Sequence, residues 1–331
     1  FTIQTVKDWI KGQSFDEIWF CGAGTSAFIG DILVAGLEGH SRASLRAIAT
    51  TDIVSQPQSY LDGKQRPLVV NFGRSGNSAE TIGILDALDA LAPDAPRLNI
   101  TCNSEGALAS RPSLAPTNLI LLPDSTHDQG FAMTASFSTM LLTAIGLFDP
   151  RSDFKALPFE MADILNANLP SFSRLAEPQP DRVVYIGSGA LKYAAREAAL
   201  KTLELSAGYI PAIWDSCLGF RHGPKSFVLP GTMVVIFLSA QLPTRSYDMD
   251  LILELRDQYP ENVVVSVGEG GDMHLPAFDW DLWSVPLCVA LAQVVSVIWS
   301  DQLGLNVDNP FAGQDTLSRV VADVPLYAVG K

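Results

Sequence analysis

Histidine and cysteine are scarce in this chain, and basic charge is in short supply beside acidic. Its 331 residues include four histidines and four cysteines, with no pair at the spacing of a metal-ligand set, so no metal is expected. Cys21, Cys102, Cys217 and Cys288 lie far apart, three of them inside apolar strand-like or helix-like runs. That pattern reads as reduced core thiols of a cytoplasmic protein and not as a disulfide framework. Lysine and arginine total 22 against 36 acidic residues, a formal net charge of −14, which disfavours nucleic acid and anionic membrane as partners. An anionic small molecule stays open, because backbone amides at a helix N-terminus bind phosphate whatever the net charge. Long uninterrupted apolar runs are lacking too: Val289 to Trp299 is broken by Gln293 and Ser296 and reads as a buried helix, so no membrane span is expected. The start, Phe1-Thr2-Ile3-Gln4, has neither a basic segment followed by an apolar one nor an initiator Met. No secretion signal is expected, and further residues upstream are.

What is present is a repeat. The strand-like Glu17-Ile18-Trp19-Phe20-Cys21 running into Gly22-Ala23-Gly24 returns 165 residues later as Arg182-Val183-Val184-Tyr185-Ile186 running into Gly187-Ser188-Gly189. The same offset carries Leu68–Phe72 onto Met233–Phe237 and Asn99–Cys102 onto Val264–Val267. Three matched strands at one offset argue for two copies of one fold. Helix-like stretches at 79–92, 134–148, 194–207 and 247–258 alternate with the strands, which predicts parallel sheets flanked by helices on both faces, an α/β three-layer sandwich of flavodoxin-like type. The prolines and polar residues of 170–180 suggest a linker, so domains are expected at 1–165 and 178–331 with a linker at about 166–177.

Two loops of the first half carry chemistry. Gly22-Ala23-Gly24-Thr25-Ser26-Ala27 formally matches the dinucleotide fingerprint G-x-G-x-x-A. However, the next strand-like run ends Ala47-Ile48-Ala49-Thr50-Thr51, without the acidic residue that would hold a ribose. A plain strand-to-helix turn is the alternative, and no cofactor is expected. The loop Gly73-Arg74-Ser75-Gly76-Asn77-Ser78-Ala79-Glu80 is more specific. Gly76 lets the backbone approach an anion, Ser75 and Ser78 offer hydroxyls, and Asn77 with Glu80 suits the cap of a following helix whose free amides face the same spot. Arg74 suits either a bidentate anion contact or a salt bridge within the fold; a well-capped turn without a ligand is the plain alternative.

In the second half, Glu197, Lys201 and Glu204 fall on one face of a helical pattern at spacings of four and three, among Ala and Leu. So little water around a charged stripe favours shifted acidities and makes Glu204 a catalytic candidate, where an ordinary exposed ion pair would need no function. His222, in Gly219-Phe220-Arg221-His222-Gly223-Pro224-Lys225, has the most specialised setting of the histidines and suits a proton carrier, although a lone histidine is more often structural. His40 and His274 lie in polar stretches without partners, and His127 is left open between a site residue and a structural one.

Taken together, the Gly-x-Gly-Thr-Ser turn, the Arg-Ser-Gly-Asn-Ser loop, the Glu-Ala-Ala-Leu-Lys-x-x-Glu-Leu helix and the His-Gly-Pro turn resemble the sugar isomerase (SIS) domain family in tandem form. More narrowly, Asn99–Asn103, Asp128–Thr134, Gly219–Lys225 and Asn309-Pro310-Phe311 resemble its AgaS group, described as tagatose-6-phosphate ketose/aldose isomerases or galactosamine-6-phosphate deaminases. The resemblance implies that Ser75, Ser78 and the amides of Arg74, Gly76 and Asn77 bind a phosphate, with Thr25, Ser26 and Thr134 on the substrate. It further implies that Glu204 moves a proton between C2 and C1 of a phosphorylated hexose or hexosamine, with Lys201 beside it, and that His222 opens the ring. In related domains that histidine comes from a second subunit, which implies a homodimer. Those relatives carry a hydroxyl residue at the position of Gly73 and a lysine at that of Ala135. A non-catalytic sugar-phosphate regulator is the rival reading of the same fold; it has no use for Glu204 and His222.

Overall fold

The computed structural model describes residues 2–151, 157–314, 317–321 and 324–329. In chain order the first part runs α1 (Ile3–Lys11), β1 (Glu17–Gly22), α2 (Thr25–Leu37), β2 (Ser44–Ala49), α3 (Thr50–Ser55), α4 (Pro57–Tyr60), β3 (Pro67–Gly73), α5 (Ala79–Leu91), β4 (Arg97–Thr101), α6 (Ala107–Ser110), β5 (Thr117–Leu121) and α7 (Ala135–Phe148). The second runs α8 (Leu157–Leu175), β6 (Arg182–Gly187), α9 (Ala190–Leu205), β7 (Ala212–Ser216), α10 (Cys217–Phe220), β8 (Thr232–Phe237), α11 (Thr244–Gln258), β9 (Val263–Val267) and α12 (Asp281–Gln302). Two compact units result: Phe1–Gln129 with Met133–Phe154 and Leu317–Lys331, and Gly130–Ala132 with Lys155–Thr316.

Each unit is built on an all-parallel sheet, ordered β2-β1-β3-β4-β5 in the first and β7-β6-β8-β9 in the second. The strands at 165-residue offset, β1 with β6, β3 with β8 and β4 with β9, take the same places in their sheets. Strands covered on both faces read as unbroken apolar runs, and every residue of β3 and of β8 is buried. In both sheets the chain reverses its direction of strand addition between the first and third strands, β1 and β3 or β6 and β8. That switch point opens a crevice at the carboxyl ends of the strands, where doubly wound sheets hold their ligands.

The first unit's core includes Trp19, Cys21, Ile48, Val69, Ile84 and Leu88, and the second's Val184, Ile186, Phe220, Val234, Ile236 and Leu251. Helix α12, 22 residues long, is apolar and long enough by composition to cross a membrane. Its buried residues, Leu282 through Trp299, lie instead inside the second unit, where the Trp299 indole donates to the Ala176 carbonyl at 3.2 Å. The stretch expected as linker is helical through Leu175: α8 continues through Pro170 despite the donor that proline lacks, and Phe172 is fully buried. The cysteines are free and buried.

Candidate functional site

At the first unit's switch point, β1 ends at Gly22 and α2 begins at Thr25. A Cβ on Gly22 would lie 2.5 Å from the Ser26 backbone, and Gly24 turns the chain at φ +54°; only glycine allows so close an approach of helix to strand. The turn leaves Thr25 and Ser26 buried at the start of α2, with the Ser26 hydroxyl 3.8 Å from the Met133 sulfur. No acidic residue closes β2, whose last residue Ala49 runs directly into α3.

The adjacent loop, residues 74–78, follows β3. Gly76 takes φ +65°, and a Cβ there would press on Thr101 Oγ1 at 3.2 Å and Leu108 Cβ at 3.3 Å. Ser78 is the N-cap of α5, accepting from the Thr81 amide at 3.2 Å; the cap was expected from Asn77 and Glu80. Asn77 instead accepts from the Ala107 amide at 2.8 Å. The loop is propped from the connection between β4 and α6 by residues to which no role was assigned from the sequence: Asn103 Nδ2 donates to the Ser75 carbonyl at 2.9 Å, and Gly106 passes so near that a Cβ would meet that carbonyl at 2.4 Å. Arg74 is buried, and its Nη2 donates to the Arg319 carbonyl at 2.8 Å, so the cation is engaged within the fold. At Gly73 a Cβ would lie 2.8 Å from Leu108 Cδ1; the leucine fills that space.

Residues 317–321 and 324–329 return to this unit. The Val321 carbonyl accepts from the amide of Ala79, the first residue of α5, at 2.9 Å, Leu326 lies against Gly83, and Val329 packs on the core.

Thr134 caps α7, but with its hydroxyl committed: it donates to Asp128 Oδ1 at 2.7 Å. Asp128 also accepts from the amides of Thr134, Ala135 and Ser136 at 2.9–3.0 Å and from the Ser136 hydroxyl. Burial pushes this carboxyl up, but the bonds from Ser136 and Thr134 outweigh it and hold it below its ordinary value. Beside it, burial and the nearby Arg319 and Arg74 push the His127 imidazole below its usual value.

In the second unit the predicted stripe on α9 forms. Lys201 is fully buried, its Nζ 3.3 Å from Glu197 Oε1 and 2.5 Å from Glu204 Oε2. Burial lowers an ammonium's pKa, but Glu197 first and Glu204 second outweigh it and hold Lys201 above the ordinary lysine value. Glu197 is fully buried, whereas the Glu204 side chain keeps 22% of its surface exposed. The stripe thus ends in an accessible carboxylate backed by a permanent positive charge. Directly after it, α9 closes with Gly208 N donating to the Leu203 carbonyl at 2.9 Å and Ala207 N to the Glu204 carbonyl at 3.1 Å, with Ala207 at φ +48°: a Schellman cap with alanine where glycine is usual.

His222 is exposed, in the turn between α10 and the short helical turn Pro224–Phe227. Both its flanks meet one carboxylate on α11: Arg221 Nε donates to Glu254 Oε2 at 2.7 Å, and Lys225 Nζ to Glu254 Oε1. Helix α9 leaves the carboxyl end of β6 and runs back, so Glu204 at its far end lies at the amino edge of the sheet. His222 follows the carboxyl end of β7. The topology therefore places the two residues at opposite edges of one sheet. Among the described residues, no three His, Cys, Asp or Glu side chains group as a metal site would.

Paired doubly wound sheets, with a hydroxyl-rich loop at one switch point and an ammonium-backed carboxylate on a helix of the repeat, define a protein of the tandem sugar isomerase (SIS) fold. No protein-family model matches the chain. It is 40% identical over 320 residues to the D-galactosamine-6-phosphate deaminase AgaS of Shewanella sp. (strain ANA-3), covering 94% of this chain and 81% of that one. To the D-galactosamine-6-phosphate deaminase AgaS of Escherichia coli O157:H7 it is 38% identical over 327 residues, covering 94% and 85%. Among solved structures, tagatose-6-phosphate ketose/aldose isomerase from Escherichia coli matches with a TM-score of 0.83 at 36% identity, covering 93% of this chain and 88% of that one. The chain belongs to the AgaS family.

Proposed function

We propose that this protein is a sugar-phosphate enzyme that moves a proton between C2 and C1 of a hexosamine 6-phosphate and releases ammonia, with plain aldose-ketose isomerisation when C2 carries oxygen. The observation that carries this reading is the Glu204 carboxylate, accessible at one end and held by the buried Lys201 at the other. A carboxylate positioned by a fixed cation and reachable from outside meets the geometric requirement of a general base. In this reading Ser75 and Ser78, with the amides of Arg74, Gly76 and Asn77, hold the phosphate, and Thr25, Ser26 and Thr134 contact the substrate. His222 opens the ring. Glu204 then takes the C2 proton from the open-chain aldehyde and returns it at C1 through an enediol, or an enolamine when C2 bears nitrogen. The resulting C2 imine adds water and parts into ketose phosphate and ammonia.

The names of the relatives support a galacto-configured amino sugar as the first substrate to try. The opposite-edge placement of Glu204 and His222 supports a homo-oligomer in which a complete site takes the histidine of a second copy, and free buried cysteines suit the cytoplasm. The test is to incubate the purified protein with galactosamine 6-phosphate and glucosamine 6-phosphate and to assay ammonia and ketose phosphate together. Stoichiometric ammonia and ketose phosphate from one epimer is the expected result. Neither product from any amino or neutral hexose 6-phosphate would overturn the reading in favour of a non-catalytic binder.

A further inference from the structure

The second unit repeats the first's switch point, and there the chain supplies its own anion. The loop after β8, residues 238–243, stands where residues 74–78 stand in the first unit. Its amides and hydroxyl are taken by two carboxylates. Asp281, the first residue of α12, accepts from the Ser239 hydroxyl at 2.5 Å and from the Ala240 amide at 2.9 Å. Asp248, fully buried on α11, accepts from the Ser239 amide at 2.9 Å. Its other oxygen accepts from Ser188 at 3.1 Å, in the turn after β6. Asp248 therefore bridges both loops that border the crevice between β6 and β8, and Asp281 holds the second of them. Arg245 lies beside them, donating to the Ser239 carbonyl at 3.1 Å. The cavity left next to Ala240, Arg245 and Ser284 is about 10 Å³, room for one water at most.

The first unit differs at each of these points. Helix α5 has Gly83 as its fifth residue, where α11 has Asp248. Asp128 spends its carboxylate on the amides of α7. Among the described residues, no carboxylate accepts from the amides of Ser75, Gly76 or Ser78.

We propose that the second switch point is an anion site permanently filled by Asp281 and Asp248, so that each chain takes one phosphate-bearing ligand, and that removing the Asp281 carboxylate uncovers a latent second site for a phosphate group. This rests on the phosphate reading of the first loop, and the test separates the two. Inorganic phosphate is titrated calorimetrically into the wild-type protein, Asp281→Ala, and the double variant Ser75→Ala/Ser78→Ala. The expected stoichiometries are one, two and none per chain. Two phosphates on the wild type, or phosphate retained at full stoichiometry by the double variant, would overturn the proposal. So would a folded Asp281→Ala protein that binds no more phosphate than the wild type. Should Asp281→Ala not fold, Asp281→Ser, which removes the carboxylate but keeps a polar group beside Ser239, takes its place in the titration, with the same outcomes deciding. A wild type that binds none while Asp281→Ala binds one would sink the phosphate reading of the first loop, and with it the count of one ligand per chain, but would bear out the filling of the second switch point by Asp281.

Discussion

A lysine with no solvent contact keeps its charge only where carboxylates surround it, and removing one member of such a group is costly because a buried charge is left alone. Lys201 holds two carboxylates, one of them the fully buried Glu197. Lys201→Met should therefore destabilise the protein by about 3–5 kcal/mol, read by chemical denaturation. Glu204→Gln should act differently, because the amide oxygen still accepts from Lys201 and the buried Glu197 still balances its charge: the fold stays intact and phosphate affinity is unchanged, while turnover falls by about 10²–10⁴-fold. Steady-state rates beside phosphate titration make that comparison, and near-normal turnover would remove Glu204 from the chemistry. The stripe was legible in the sequence because the helical period places positions 197, 201 and 204 together and their Ala and Leu neighbours announce burial. Which carboxylate stays accessible was not legible, since it depends on what packs against α9.

Two helix ends in this fold are held by unusual means. Helix α7 has no basic or acidic residue of its own in its first turn; its amides are satisfied by Asp128, several residues upstream. Asp128→Ala should cost about 1–2 kcal/mol, the upper range for losing a cap. Because the folded-state pKa of Asp128 is held below the ordinary aspartate value of 3.8, its contribution is present above that pH and is lost as pH falls below it. The difference in stability between wild type and Asp128→Ala should accordingly shrink on acidification. At the other end of the repeat, Ala207 occupies the left-handed region just beyond Glu204, a conformation that costs a non-glycine residue about 1–2 kcal/mol. Ala207→Gly should raise stability by about 1 kcal/mol, after the extra backbone entropy of glycine is set against that gain, and thermal denaturation will show it. Strand-turn-helix units were legible here because the glycine at each turn is required by a close approach visible in the pattern. The caps were not: Asn77 reaches Ala107, and Asn103 reaches Ser75, across loops that only the folded sheet brings together.

Over the whole molecule, the offset of 165 residues made the duplication readable, because matched strands occupy matched places. Its divergence was hidden, since Asp248 and Asp281 meet Ser239 only through the third dimension. If Glu204 and His222 of different copies complete each site, mixing inactive Glu204→Gln with inactive His222→Ala under subunit exchange should restore about a quarter of wild-type activity: half the pairs are mixed, and one site in each mixed pair is intact. No recovery after verified exchange would place both residues in one copy's site. Residues 317–321 and 324–329 carry a consequence in time. Arg74 is anchored by the carbonyl of Arg319 and α5 begins against Val321, so the loop 74–78 leaves the ribosome long before this part of its support does. At about 5–20 residues per second, roughly ten seconds or more pass between the synthesis of that loop and the arrival of the carbonyl that anchors its arginine.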